Sequence, residues 1–316
     1  MQFNDEQKRI KRKTISDKVL VHVFMAVAAL SAMAIAIIAI FIIYKGSLPF
    51  VKKYEIDGKL YSVNLFKFLV GGTWFKHPNI YGAGYIILNT VYVTLLALII
   101  AVPISILTAL FIVRIAPKKL SHVINTVIEI LASIPSVIYG LFGMGYVTKI
   151  VKNISYAFGF QSAGGLSVLS TAIVLSMMIL PTITMISVTA IKAVRTDLIN
   201  GSLALGASTA QTNFKVVLTT AKSGIFSGVI LGVGRALGEA TAVSMVCGNS
   251  GSDFSLNPFD TTATLTSTML MSIHETTGLD YDIRFSVGIL LIVIIIVSNL
   301  LLNMLKNRIG KSHGKI

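Results

Sequence analysis

Two ionisable residues stand where this chain can least easily carry them. In the run Gly228-Val-Ile-Leu-Gly-Val-Gly-Arg-Ala-Leu-Gly-Glu239, Arg235 and Glu239 interrupt an apolar stretch punctuated by glycine. The flanks, Ile225 to Ile230 and Ala240 to Cys247, read as membrane interior. A charge held at the centre of a bilayer costs about 2.5–3.5 kcal/mol on insertion scales, so an ionisable residue there points to function. If the span starts near Gly224, Arg235 lies roughly 16 Å in, close to the midplane of a hydrocarbon core about 30 Å thick. The i,i+4 spacing predicts that Arg235 and Glu239 share one helical face.

Two readings of the pair stay open at this level. It can be an internal salt bridge that neutralises itself, since buried charges find partners. Alternatively it is an anion site, because the planar guanidinium fork suits a tetrahedral oxyanion and is always charged. Glu239 then orients the fork, or holds it closed until substrate displaces it. Gly228 with Gly232, and Gly234 with Gly238, form two small-xxx-small pairs that let another helix approach closely. A third ionisable group, Glu129, lies about 12 Å beyond Ser121 by helical rise. It either faces the cytoplasmic mouth of a pathway or caps a buried polar cluster.

Other chemistries find no support. The histidines (His22, His77, His122, His274, His313) are scattered without metal-ligand spacing, and the single cysteine, Cys247, forms no intrachain disulfide. No nucleophile–base pair accompanies Arg235 and Glu239, so no catalytic residue is expected. Ala221-Lys-Ser223 comes nearest to a phosphate-cradling nucleotide loop but lacks the glycine before the lysine. No metal, cofactor or nucleotide site of its own is expected.

The elements that must hold these residues are membrane helices. Of the 316 residues 54% are hydrophobic and only 13% charged, far below the quarter expected of a soluble chain. Six apolar runs are long enough to cross, at about 19–44, 85–113, 123–147, 166–190, 223–247 and 284–305. The first follows a basic flank like that of a signal peptide, but its apolar run continues to Tyr44, which predicts an uncleaved anchor. With the N-terminus inside, the cytoplasmic segments hold seventeen lysines and arginines and the outer segments nine. That bias places both termini in the cytoplasm and explains the net charge of +14 without nucleic acid.

The expected organisation is therefore all-α and polytopic in the cell membrane. A cytoplasmic segment, 1–18, precedes the first span, 19–44, and a loop over 45–84 whose Trp74, Phe75 and Tyr81 suit an ordered cap. A core follows over 85–305, then a cytoplasmic tail, 306–316. Pro103, Pro135 and Pro181 interrupt three spans, either as ordinary kinks of a bundle or as bends lining a pathway. Outer loop 248–283 carries five acidic residues and no lysine or arginine, which suits docking of a partner. The cytoplasmic segment 191–222 reads as a short helix, a break at Gly206 and a second short helix.

At that segment the sequence resembles a family. Asn200-Gly-Ser-Leu-Ala-Leu-Gly206, followed after nine residues by Val216-Val-Leu218, is similar to the EAA loop of ABC importer permeases in its glycine and spacing. Asn200, Gly201 and Ser202 replace the glutamate and two alanines, and Thr219 replaces the final proline. Ala132-Ser-Ile-Pro-Ser-Val-Ile-Tyr-Gly-Leu-Phe-Gly143 and Gly234-Arg-Ala-Leu-Gly-Glu-Ala-Thr-Ala-Val243 resemble the third and fifth spans of phosphate permeases of PstC type. Tyr81-Gly-Ala83, Asn89-Thr90 and Ala101-Val-Pro103 fit the same pattern, so the resemblance covers about 80–310.

The resemblance implies a MetI-like importer permease with six transmembrane helices, translocating inorganic phosphate inward. It implies a heterodimer with a PstA-like permease, two copies of a PstB-like ATPase that binds the ATP, and an external PstS-like phosphate-binding protein. It also implies that Asn200, Gly201, Ser202, Leu203, Ala204, Leu205, Gly206 and Ala207 form the helix that couples to the ATPase. Arg235 and Glu239 correspond to the family's span-five pair. A permease for another oxyanion, such as molybdate or sulfate, or a proton-coupled secondary carrier using Glu239 or Glu129, remains as an alternative.

Overall fold

The structure is a computed structural model. It describes residues 2–311 other than 57, 76–78 and 252, with side chains described between 19 and 308. The side chains of the basic flank (Lys8, Arg9, Lys11, Arg12, Lys13), together with Lys76, His77, His313 and the end of the tail, lie outside the described residues.

Helix α7 (Val168–Lys192) is the axis of the molecule, because it carries the largest buried share of any apolar span, 67%. It begins cleanly, with the Ser167 hydroxyl accepting from the Ser170 amide as an N-cap. Several of its buried hydroxyls are absorbed by its own backbone: Ser176 donates to the Ile173 carbonyl and Thr184 to that of Leu180. Two helices flank it, α3 (Gly84–Leu110) and α10 (Leu218–Gly238). The α7–α10 contact runs through glycine. An added Cβ at Gly224 would meet Ala190 at 2.5 Å, at Gly228 Ile186 at 3.2 Å and at Gly232 Ile183 at 2.8 Å. These small residues at i+4 spacing let the two backbones approach as small-residue membrane interfaces require. Gly234 and Gly238 depart from expectation, since nothing lies within 4 Å of either position. Within this chain only the first glycine pair packs.

The helix α1 (Gln2–Val51) stands at the periphery, with none of its apolar window buried. Only its last turns dock, against α13 (Gly278–Lys311), where Gly46 meets Phe285 and Ile289, and Ile42 meets Gly288. Ser286 donates to the Gly46 carbonyl at 2.6 Å. The two helices are antiparallel, so both chain ends emerge on the same side. By length and apolarity five described helices can cross a membrane, and a bent pair makes a sixth crossing if taken as one.

That bent pair corrects the expected continuous span 123–147. Helix α4 (Lys118–Ser133) ends at Ile134, and the chain turns by 95° into α5 (Ser136–Phe142), which runs through a π turn into α6 (Thr148–Ala157). Pro135, with φ −58° and ψ 143°, is the residue on which it turns. Its ring removes an amide donor and blocks helical continuation. Pro103 and Pro181 instead sit inside α3 and α7, which continue through them.

The expected loop 45–84 begins later than its composition predicts, because α1 continues to Val51, and its described residues beyond that form short hairpins and a helix. Strands β1 (Tyr54–Ile56) and β2 (Lys59–Tyr61) pair antiparallel; α2 (Leu65–Val70) follows, and β3 (Trp74–Phe75) pairs with β4 (Ile80–Tyr81). Phe68, Tyr81 and Tyr85 pack there with Leu265, Ile283 and Val287 of the later chain. The opposite end closes around Leu110, Ile128, Ile191, Ile199 and Val217.

Gly165, before α7, adopts φ +89°, and a Cβ there would collide with the Thr148 carbonyl. Gly165→Ala is therefore expected to destabilise the fold by about 1–3 kcal/mol, the usual cost of a non-glycine residue forced into such a backbone. Thermal unfolding of the purified protein in detergent would show this as a lowered Tm.

Candidate functional site

Helix α10 does not continue to Cys247. It stops at Gly238; Glu239 takes an extended conformation (φ −76°, ψ 117°), and a new short helix, α11 (Thr241–Val246), begins two residues later. The break is held from both sides. Glu239 Oε1 accepts from the Ala242 amide at 3.0 Å, capping α11 with its own side chain. Thr266 Oγ1 donates to the Glu239 carbonyl at 2.7 Å. Thr266 belongs to α12 (Leu265–Leu270), itself tied inward where the Leu265 amide donates to Thr90 Oγ1 at 3.0 Å. The freed backbone groups of the break are thus partnered by a side chain on either side, the condition under which irregular backbone persists at membrane depth.

This geometry changes the reading of the charge pair. Glu239 is the residue on which the helix carrying Arg235 ends, and although it stands four residues on, no ion pair joins the two. Arg235 instead donates from one terminal nitrogen to Thr182 Oγ1 on α7 at 2.9 Å. Both Arg235 and Glu239 are half-buried. The guanidinium has five N–H donors, and among the described residues only one is used. Tyr139 marks the other break, its hydroxyl donating to the Leu131 carbonyl at 2.8 Å across the bend between α4 and α5. Two interrupted helices therefore meet beside one arginine, α11 packing on α5 through Ala242 and Met245 against Gly140.

The remaining candidates fall elsewhere. Glu129 is exposed on α4 and makes no polar contact among the described residues, so it does not cap a polar cluster within the chain. The segment at 200–207 lies at the opposite end from the hairpins. Helix α8 (Thr196–Ala204) anchors it through buried Ile199, and Ser202 Oγ lies 3.0 Å from Thr212 Oγ1. Leu205 stands 90% exposed, and Gly206 makes the left-handed turn at φ +85°. A capping box joins Ser208 and Gln211 at the start of α9 (Thr209–Gln211). The expected break at Gly206 is present. The second helix is not short, because Thr209–Gly238 forms one apolar helical run with a π turn at Thr212–Val217.

Thr182 and Thr266 carry no signal in the sequence, and Tyr139 stands out there only as part of the motif at 132–143. A hydroxyl in an apolar run is common, and only the fold shows which ones face a charge. The same holds at the hairpin end, where Arg284 is only 6% exposed, donates to the Thr268 carbonyl at 2.7 Å and lies 3.6 Å from Asp280. It lines a cavity of ≈ 460 Å³ together with Trp74, Tyr85, Asn249, Glu275 and Asp280. Asp282 accepts from the Tyr54 hydroxyl at 2.6 Å and pairs with Lys45 at 3.4 Å, so acidic side chains of the outer loop partly serve the fold.

Residues 101–312 match the family described as binding-protein-dependent transport system inner membrane component. The chain belongs to that family. Among its relatives, the probable ABC transporter permease protein YqgH of Bacillus subtilis is 39% identical over 231 residues, 72% of each chain. The phosphate transport system permease protein PstC of Pasteurella multocida is 33% identical over 266 residues, covering 79% of this chain and 82% of that one. In fold it resembles a permease of a bacterial alginate ABC transporter (TM-score 0.57, 16% identity, 88% of this chain and 95% of that one). It also resembles one of the MetNI methionine ABC transporter (TM-score 0.51, 18% identity, 78% and 99%). The architecture is the MetI-like permease fold, and the protein is a multi-pass membrane component of an ABC transport system.

Proposed function

We propose that this permease translocates inorganic phosphate inward, with Arg235 offsetting the cost of taking the anion out of water. The observation that carries this reading is a half-buried guanidinium that no carboxylate neutralises and that keeps unused donors at the junction of two broken helices. An arginine fork is the side chain best matched to a phosphate oxyanion. The PstC names of several relatives support phosphate among the oxyanions. In this reading Glu239 shapes the site by capping α11, and Glu129 lies on the surface a second permease would cover. Gly234 and Gly238, open in this chain, suit close approach of that partner helix.

The basic bias places the α8 end in the cytoplasm. There a PstB-like ATPase binds the ATP, and two copies power a heterodimer of this chain with a PstA-like permease. The hairpin end faces a PstS-like phosphate-binding protein. This chain contributes a gated path and no covalent chemistry. In liposomes carrying the assembled complex with the binding protein outside and ATP inside, labelled phosphate is expected to accumulate. Unlabelled phosphate should compete, and sulfate or molybdate should not. Uptake that persists without ATP and collapses with the proton gradient would identify a secondary carrier instead.

A further inference from the structure

Most hydroxyls of helix α7 follow one pattern, apart from Ser170, which donates to the Gly165 carbonyl before the helix, and Ser187, which is buried without a partner among the described residues. Thr171, Ser176, Thr184 and Thr189 each return their proton to a carbonyl three or four residues back, to Ser167, Ile173, Leu180 and Met185. That is the default of a threonine or serine in a helix, because the backbone is the nearest acceptor. Thr182 departs from it. Its Oγ1 accepts from the Arg235 guanidinium at 2.9 Å, across 53 residues of sequence, and its own proton finds no acceptor among the described residues. Thr182, like Arg235, is half-buried.

We propose that Thr182 is a positioning residue for Arg235. It fixes the fork against α7, leaves the other guanidinium donors free, and sets its own O–H beside them. An arginine side chain carries about 2 kcal/mol of rotamer entropy, and a fork already held in one geometry loses less on meeting an anion. Neither nearby acceptor, Glu239 or Tyr139, hydrogen-bonds the guanidinium. Glu239 Oε1 is bonded to the Ala242 amide, and the Tyr139 hydroxyl donates to the Leu131 carbonyl. The hydroxyl of Thr182 is therefore the protein group that orients Arg235 in the absence of substrate. A hydroxyl does so without neutralising the charge, as a carboxylate at this place would.

This inference rests on the phosphate reading above. The test measures phosphate uptake against phosphate concentration in liposomes holding the full complex, for Thr182→Val, Thr182→Ser and Arg235→Ala. Thr182→Val keeps the branched shape and removes the hydroxyl. It is expected to raise the KM for phosphate about tenfold, the equivalent of ~1.4 kcal/mol, with Vmax within about twofold of wild type. Thr182→Ser restores the hydroxyl without the methyl and is expected to bring KM back to within about twofold. A wild-type KM in Thr182→Val would overturn the proposal, as would Thr182→Ser as impaired as Thr182→Val, which would make the side chain a packing element. A fall in Vmax at unchanged KM counts against it equally. If the valine variant does not assemble, Thr182→Ala carries the same expectation. Normal phosphate uptake by Arg235→Ala would instead remove the phosphate role of the arginine itself, a failure separable from that of Thr182.

Discussion

Alanine at Arg235 abolishes phosphate uptake and leaves folding and assembly intact: this is the largest effect expected of any single change in the chain. In the proposed reading the guanidinium offsets the desolvation of the phosphate anion. At an effective dielectric of ~20, a unit charge 4 Å away contributes about 4 kcal/mol, close to three orders of magnitude in rate or affinity. The fold loses little, because Arg235 forms no ion pair here and holds only one hydrogen bond, to Thr182. Arg235→Lys keeps the charge but not the fork, so it should fall between alanine and wild type. Transport assays in liposomes, with copurification of the partner subunits as the assembly control, decide the matter. Wild-type uptake by the alanine variant would sink the anion-site reading.

Leu205→Asp is expected to disconnect the permease from its ATPase. Leu205 is 90% exposed at the tip of the α8 turn, followed by the left-handed Gly206, and none of the described residues covers it. Burying a leucine is worth about 1.5–3 kcal/mol, and a charge in its place adds the cost of desolvating a carboxylate. ATPase affinity should therefore drop about a hundredfold or more. The variant should reach the membrane at wild-type levels, lose the ATPase on purification in mild detergent, and fail to transport. Retention of a stoichiometric ATPase would show that the coupling contact lies elsewhere.

The breaks in the two interrupted spans differ in how far they can be read from sequence. Pro135 announces its bend locally, since the ring forbids the helical hydrogen bond whatever the surroundings. Its magnitude, 95°, depends on the Tyr139 hydroxyl reaching the Leu131 carbonyl across the turn. The break at Glu239 has no proline. Gly238 permits it, but so would many glycines that stay helical, among them Gly228 and Gly232 in the same helix. What makes it stable is Thr266, 27 residues later, donating to the Glu239 carbonyl.

By itself the sequence determined the membrane character of the chain, its apolar spans and the turn at Gly206. Each of these follows from local composition: transfer of apolar side chains into lipid, and the backbone freedom of glycine. Its family motifs pointed to the phosphate permeases, and the basic bias to both termini on one side. Spacing alone pairs Arg235 with Glu239 as i,i+4 neighbours, but the helix ends at Gly238 and the carboxylate turns to the Ala242 amide instead. Which partner holds Arg235, and which side chain frees it from Glu239, was decided by tertiary structure. One deciding hydrogen bond runs from Arg235 to Thr182 and the other from Thr266 to the Glu239 carbonyl; both threonines are far away in sequence, and their hydroxyls look like any others until the fold brings them beside a charge and a broken backbone.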